Sequence, residues 1–325
     1  MANPIRGHGG YLGLAEQVAY DTPVAPTHFV TAKSLAIARK IEREAVGILG
    51  YPGEAPVAHD SYDKVETVEG TTTHLLGYDD PTMLLLKHCF GAVSTSGAGP
   101  FAHEFSLSDG LPSGTEGLTV HQAYGSGSLA QRAETFTGCV VTGFSIEVAY
   151  EQMAELEIRW MGKTGGGPTP PLAATLEDAP SQVEHQHLTV AGVTIGGVKV
   201  DNLQRVKANI EKGFVRVNAL GDITTQQPVP GGMYEVTLEL EWEWSGNSEY
   251  SGHLNGSFAA VAATFTDGTN AYALAIPRGQ LGEVTRTATA PGVLRCSSTV
   301  KGYAQIGTGV MTLELTNGKA TPETI

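Results

Sequence analysis

The stretch Tyr234–Trp244, YEVTLELEWEW, alternates without a break. Val236, Leu238, Leu240, Trp242 and Trp244 fall on one face of an extended chain. Glu235, Thr237, Glu239, Glu241 and Glu243 fall on the other, because successive strand side chains point to opposite sides. An apolar face with two tryptophans needs a core to pack into. Carboxylates two residues apart on the opposite face stand roughly 7 Å from one another and need water or cations. The strand therefore divides a packed interior from an acidic, wet surface.

Composition sets the frame around it. The 325 residues are 41% hydrophobic, enough for a sizeable core, and the 41 glycines and 17 prolines imply many turns. A formal net charge of −14 argues against a DNA-gripping surface, which needs a basic patch to displace counterions. It permits an acidic wall that repels phosphates. Cys89, Cys139 and Cys296 are odd in number and far apart, so neither a disulfide framework nor a CxxC site is expected. MANPIRGHGGYLGLAEQ lacks the basic region and apolar run of a signal peptide. No stretch reaches the roughly 18 apolar residues of a membrane span.

Outward from the opening stretch, short alternating segments dominate. Residues 1–32, with Gly7, Gly9, Gly10, Gly13, Pro23 and Pro26, read as an arm. Their G-x-G-x-x-x-G spacing lacks the preceding strand and the following Lys of a nucleotide loop. Residues 34–50 read as strand then loop, although their Ala, Arg, Lys and Glu would also tolerate a helix. Residues 51–62 read as a surface loop and 64–76 as a strand. The clearest helix runs from Asp80 as N-cap, through Pro81 in the first turn, to Gly91 at its exit. Strands follow at 103–107, 118–124, 138–150 and 153–161, the last with Glu155 and Glu157 opposite Leu156, Ile158 and Trp160. Gly162–Pro171, GKTGGGPTPP, breaks the pattern. Beyond it strands are expected at 188–195, 198–201, 204–210 and 214–220, and again at 260–266, 271–276, 294–303 and 310–317. A helix-like piece is expected at 248–255. The implied division is an arm (1–32), a β domain (33–162), a linker (163–183), a second β domain (184–317) and a frayed tail (318–325).

The halves match in order: a strand with basic residues, a loop, an alternating strand, a short helix ending in Gly, then further strands. Cys139 and Cys296 differ by 157, as do Leu156-Glu157-Ile158 and Leu313-Glu314-Leu315. Duplication is the preferred reading. The alternative is two unrelated β segments with shared strand statistics.

GHGGYLGLAEQVAYDTPVAPTHFV resembles the opening of siphophage major tail tube proteins, with its Gly-rich start, YLG-A segment and Thr-Pro-Val-Ala-Pro-Thr entry to the first strand. HLLGYDDPTMLLLKHCFGAV resembles that family's lead into its helix, and FSLSDGLPSGTEGLTV the strand and turn beyond. The likeness covers most of residues 5–162 and thins through 188–317. Gln17 and Asp21 depart from it, standing where an acid and a glycine are expected. The resemblance implies a mainly β chain of duplicated tail-tube-type sandwich or barrel domains, each with a short flanking helix. It implies a structural protein of the virion tail, made in the host cytoplasm. Such chains self-assemble into rings, trimeric if the chain is duplicated and otherwise hexameric, stacked as a tube. Tape measure, terminator and distal tail proteins would be partners, and genome DNA would pass without specific binding and without a membrane. The arm and the 51–62 loop would reach neighbouring subunits.

No G-x-S-x-G, H-E-x-x-H, Walker or calcium loop occurs. His185 and His187, in EHQHL, could share one strand face, but no Cys or second His pair stands at metal spacing, so surface histidines are favoured over zinc. The cysteines read as buried, inert thiols. No enzyme, cofactor or metal is expected. The glutamate row is either a solvated strand face or the lining of a genome channel. On the second reading the lumen-facing candidates are Glu155, Glu157, Glu239, Glu241, Glu243 and Glu314. A tail terminator, a capsid decoration protein and a carbohydrate-binding β-sandwich are the competing functions.

Overall fold

A computed structural model describes residues 10–46, 60–124, 133–166, 182–244, 256–287 and 294–319. The first half contributes β1 (Tyr11–Gln17), β2 (His28–Thr31), β3 (Ser34–Val46), β4 (Asp60–Leu75), α1 (Asp80–Phe90), β5 (Gly91–Ser96) and β6 (Phe101–Leu107). It continues with β7 (Gly117–Ala123), β8 (Ala133–Ala149), β9 (Glu155–Gly162) and β10 (Thr164–Gly165). The second half begins with α2 (His185–Ala191), β11 (Gly192–Ile195), β12 (Val198–Lys199), β13 (Leu203–Glu211), β14 (Phe214–Val217) and β15 (Gln226–Pro230). Then come β16 (Glu235–Glu243), β17 (Phe258–Thr266), β18 (Ala271–Leu281), β19 (Thr285–Thr287), β20 (Arg295–Gly302) and β21 (Thr312–Asn317). The architecture is mainly β. The expected helix at 248–255 and the second half of the Gly/Pro-rich break, 167–171, lie outside the described residues.

Among the described residues nineteen strands form one hydrogen-bonded sheet system, and only the β14–β15 hairpin stands apart from it. Its central run is β3–β4–β9–β8–β13–β16–β20, antiparallel throughout. This run crosses from one half of the chain to the other at β8–β13, where Arg205 to Glu211 lie opposite Ala149 to Gly143. Alternation gives the run one buried face, which includes Val68, Ile158, Phe144, Ile146, Ala208, Leu238 and Trp242. The helix α1 lies between this run and the β5–β6 hairpin. Phe90 on α1 meets Phe144 of β8 at 5.0 Å and Phe105 of β6 at 6.1 Å between ring centroids. Pro81 through Phe90 are all buried, as expected of an internal helix. Its N-cap is Asp79, one residue before the expected Asp80, and Gly91 closes the other end with φ 94° and an amide donated to the Lys87 carbonyl.

The pairings recur. In the first half β1 lies between β2 and β7, β7 pairs β8, β8 pairs β9, β9 pairs β4 and β4 pairs β3. In the second, β11 lies between β12 and β17, β17 pairs β18, β18 and β19 pair β20, β20 pairs β16 and β16 pairs β13. The register slips between Val141 and Gly143 on β8. It also slips by one between the Leu281–Val300 and Thr285–Ser297 pairs. The constant offset of 157 does not follow these pairings. It matches β9 to β21, whereas the strand beside β16 that takes the place of β9 beside β4 is β20. β21 instead pairs β18 and β6.

Two further expectations change. Tyr11–Gln17 is a buried strand paired along its length with β7, not part of an arm. Glu16 on that strand explains why: it binds Lys87 at 3.1 Å and His88 at 2.8 Å, the two polar side chains buried in the last turn of α1. Gln17 uses both ends of its amide, accepting from the Gly138 amide at 3.1 Å and donating to Thr119 at 2.9 Å, a pattern an ionised acid cannot make. Asp21 adopts the left-handed φ of 61° at the position where glycine is expected, and Thr137 and Lys163 hold its carboxylate. His185 and His187 sit on α2 rather than a strand, where Glu184 and His187 close a capping box.

Lys212, fully buried, reaches from the second half to the C-terminal end of α1 and donates to the His88 carbonyl at 3.2 Å. A cation there satisfies an orphan helix carbonyl. Burial nevertheless pushes the ammonium down from 10.5 to about 8. Between those values the unfolded chain binds more protons than the folded one, so this group's contribution to stability rises with pH. Measured against Lys212→Met, which cannot titrate, the unfolding free energy of the wild type is therefore expected to rise by up to about 3 kcal/mol from pH 8 to pH 10.5. A constant difference in denaturant titrations across that interval would refute the assignment.

Candidate functional site: the charged face of the central sheet

The exposed face of the central run gathers side chains from six strands into rows. One row reads Glu155, Glu147, Lys207, Glu239 and Thr299 across β9, β8, β13, β16 and β20. The next reads Thr73, Glu157, Ser145, Asn209, Thr237 and Lys301 from β4 to β20. A third runs Thr71, Arg159, Gly143, Glu211 and Glu235. On the far side Arg205, Glu241 and Ser297 align, and beyond them Glu243 faces Arg295. Five of the six candidates, Glu155, Glu157, Glu239, Glu241 and Glu243, thus share one surface.

Glu314 does not join them. It is exposed on β21, opposite Ala273 of β18 and Glu104 of β6, in a part of the sheet that does not pair with β9 or β16. Its local pattern, Leu-Glu-Leu, is the same as that of Leu156–Ile158, and local pattern carries no information on which strands lie alongside.

The surface is not a bare acidic wall. Arg205 bridges Glu147 at 2.6 Å and Glu239 at 3.4 Å, and Lys207 reaches Glu147 at 3.2 Å. Arg159 binds Glu211 at 3.0 Å, Lys301 binds Glu235 at 2.9 Å, and Arg295 lies 3.7 Å from Glu241. Glu155 is held by Lys33. Among the described residues Glu157 and Glu243 have no ion-pair partner. Partial burial alone would raise the Glu147 pKa, but the hydrogen bonds and charges of Arg205 and Lys207 outweigh it and hold the carboxyl below its ordinary value. Sequence reading missed this lattice because its members lie on different strands. Arg205 and Lys207 were visible as basic residues in alternation, but nothing local placed them opposite Glu147 and Glu239.

Trp242 is buried, and Trp244 is half-buried with the Arg286 guanidinium 4.0 Å from its ring centre, so neither tryptophan offers a free stacking face. All three cysteines are buried and free. Desolvation pushes the Cys89 thiol up to about 12, far from a reactive thiolate. Among the described residues no group of three His, Cys, Asp or Glu is placed to hold a metal.

The face is thus a surface of paired charges on a continuous sheet. A family model described as phage tail tube protein matches residues 7–311. The chain belongs to that family. The match takes in both halves and the charged face whole. No curated protein sequence matches the chain. The tail tube family is structural, and membership places the chain among components of the virion tail.

Glu147 is the acceptor that ties Arg205 and Lys207 across the β8–β13 seam. Its side chain is about one-third exposed, so solvent screens part of the attraction. Glu147→Gln is expected to lower stability by about 1 kcal/mol in low salt and by less in high salt. A chemical denaturation series at two ionic strengths checks both the loss and its shrinkage.

Proposed function

We propose that the chain closes into rings that stack as the tail tube, with the charged face of the central sheet lining the channel through which the genome passes. The observation that carries this reading is the β8–β13 seam. It joins two sets of strands with the same pairing order into one sheet, and it leaves β3 at one end and β19 at the other. Within the described residues β3 pairs only with β4, and β19 only with β20. A head-to-tail contact between these edges in neighbouring copies repeats the internal seam and closes a ring. If the halves are equivalent units, three chains supply six of them. Edge strands that would be a hazard in a monomer become joints.

The lattice supplies the mechanism of passage. Arginines and lysines left free on a channel wall would bind phosphates and slow DNA. Here Arg159, Arg205, Lys207, Arg295 and Lys301 are each committed to a carboxylate. The excess carboxylates, Glu157 and Glu243 among them, add repulsion. The wall on this reading is close to neutral in contact and mildly acidic in sum, rather than uniformly acidic. Tape measure, terminator and distal tail proteins would meet the tube at its core and its ends.

Electron microscopy of the purified protein tests assembly: long hollow tubes are expected, and persistent monomers would overturn it. The channel assignment has its own test. Glu157→Lys combined with Glu243→Lys breaks no ion pair, so tubes should form as before. Phage particles built with this variant are expected to release DNA more slowly, with the difference shrinking as salt rises. Unchanged release kinetics would sink the placement of this face in the channel.

A further inference from the structure

The outer edge of β3 is not bare. Gln122, on β7 and almost fully buried, turns its side-chain amide against the backbone of Ile37. The Ile37 amide donates to Gln122 Oε1 at 3.2 Å, and Gln122 Nε2 donates to the Ile37 carbonyl at 3.4 Å. Gln122 Nε2 also donates to the Tyr124 hydroxyl, which donates in turn to the Leu35 carbonyl at 3.5 Å. Leu35 and Ile37 are alternate residues, so these backbone groups belong to one edge of the strand. It is the edge turned away from β4, because groups bonded to Gln122 and Tyr124 are not spent on the ladder.

A primary amide is the side chain that best copies a peptide group, with a carbonyl acceptor and N–H donors in one plane. Set against both groups of Ile37, it does for one residue what a neighbouring strand does along a ladder. β13, which stands beside β16 as β3 stands beside β4, shows the alternative: its outer edge is filled by β8 along seven residue pairs. The two edges occupy like places in the pairing order. One is covered by a strand and the other by a glutamine and a tyrosine.

We propose that Gln122, supported by Tyr124, is a guard on the β3 edge, occupying in the single chain the backbone positions that an edge strand of a second copy takes on assembly. This rests on the reading of β3 as a joint between copies. The guard satisfies Leu35 and Ile37 while the chain is alone, which suppresses pairing with wrong strands. It gives way because a strand offers the same bonds together with those of adjoining residues. The Gln122 amide then moves off the edge, and the cost of displacing it is a barrier that slows joining.

The test follows assembly of purified monomer by light scattering, with hydrogen exchange at the Ile37 amide as a second readout. Gln122→Leu keeps the side chain's bulk and removes its hydrogen bonds. It should assemble several-fold faster than wild type at equal concentration, and Tyr124→Phe should accelerate assembly by a smaller factor. In the monomer, Gln122→Leu should lose protection of the Ile37 amide, and assembly should restore it, because the neighbouring strand then supplies the acceptor. Folded Gln122→Leu that assembles at the wild-type rate or slower would overturn the guard, as would an Ile37 amide that stays unprotected after assembly. Should Gln122→Leu not fold, Tyr124→Phe decides: assembly no faster than wild type then overturns the guard. Wild-type protein that forms no tubes under any condition would sink the assembly reading itself and the guard with it.

Discussion

The pairing of β8 with β13 is the contact on which the rest of the molecule depends. β8 is 17 residues long because it serves two surfaces. Its first residues pair β7, Val140 to Glu147 pair β9, and Gly143 to Ala149 pair β13. That one strand carries the fold from the β1–β7 side to the central run, then hands the run to the second half. Remove the seam and each half keeps a short sheet with an open edge. With it, the buried face is continuous from Val68 to Val300 and the charged face is continuous from Thr71 to Lys301.

The halves also hold each other away from the seam. β6 of the first half pairs β21 of the second, and His103 on β6, fully buried, faces Asn317 at 3.1 Å. In the other direction, the segment that leaves β13 lays Arg216 on Glu69 at 2.7 Å and gives the Ile223 carbonyl to the Glu66 amide at 2.7 Å. Neither device is part of the repeated pairing order. The β5–β6 hairpin follows α1 in the first half, and no strand pair stands in its place before β17 among the described residues. These additions make the contact between halves stronger than the seam alone would make it.

How much of this could be read in the sequence depended on whether the information was local. The two faces of Tyr234–Trp244 were legible because alternation is a property of one strand, and Glu239, Glu241 and Glu243 fell on the polar side as the period requires. The helix was legible from Pro81 and Gly91, whose backbone preferences act within a turn. β1 was not, because seven residues among glycines carry little periodicity, and its burial comes from β7 and from the Glu16 contacts with α1. Glu314 was misplaced and the offset of 157 misled for one reason: the likeness of two local patterns was taken for likeness of strand neighbours. Neighbours are set by pairing over long sequence separation, which one strand's pattern does not encode.

The same limit explains why the carboxylates looked like an acidic wall. Counting charge along a strand shows Glu at four of the five alternate positions of β16, with Thr237 at the fifth. Counting across strands shows Lys207 beside Glu239, and Arg205 beside Glu241 yet bonded diagonally to Glu239. Cross-strand neighbours lie about 5 Å apart, closer than the roughly 7 Å between alternate residues of one strand, so the opposing charge dominates the local field. The net charge of −14 belongs to the whole chain and does not set the potential of this face. The local field of this face is decided by register. A one-residue slip of β13 would turn Arg205 and Lys207 into the core and leave Glu147 and Glu239 unpaired. The alternating burial of Val206, Ala208 and Ile210 forbids that slip, so the packing of the interior is also what keeps the outer face neutral in contact.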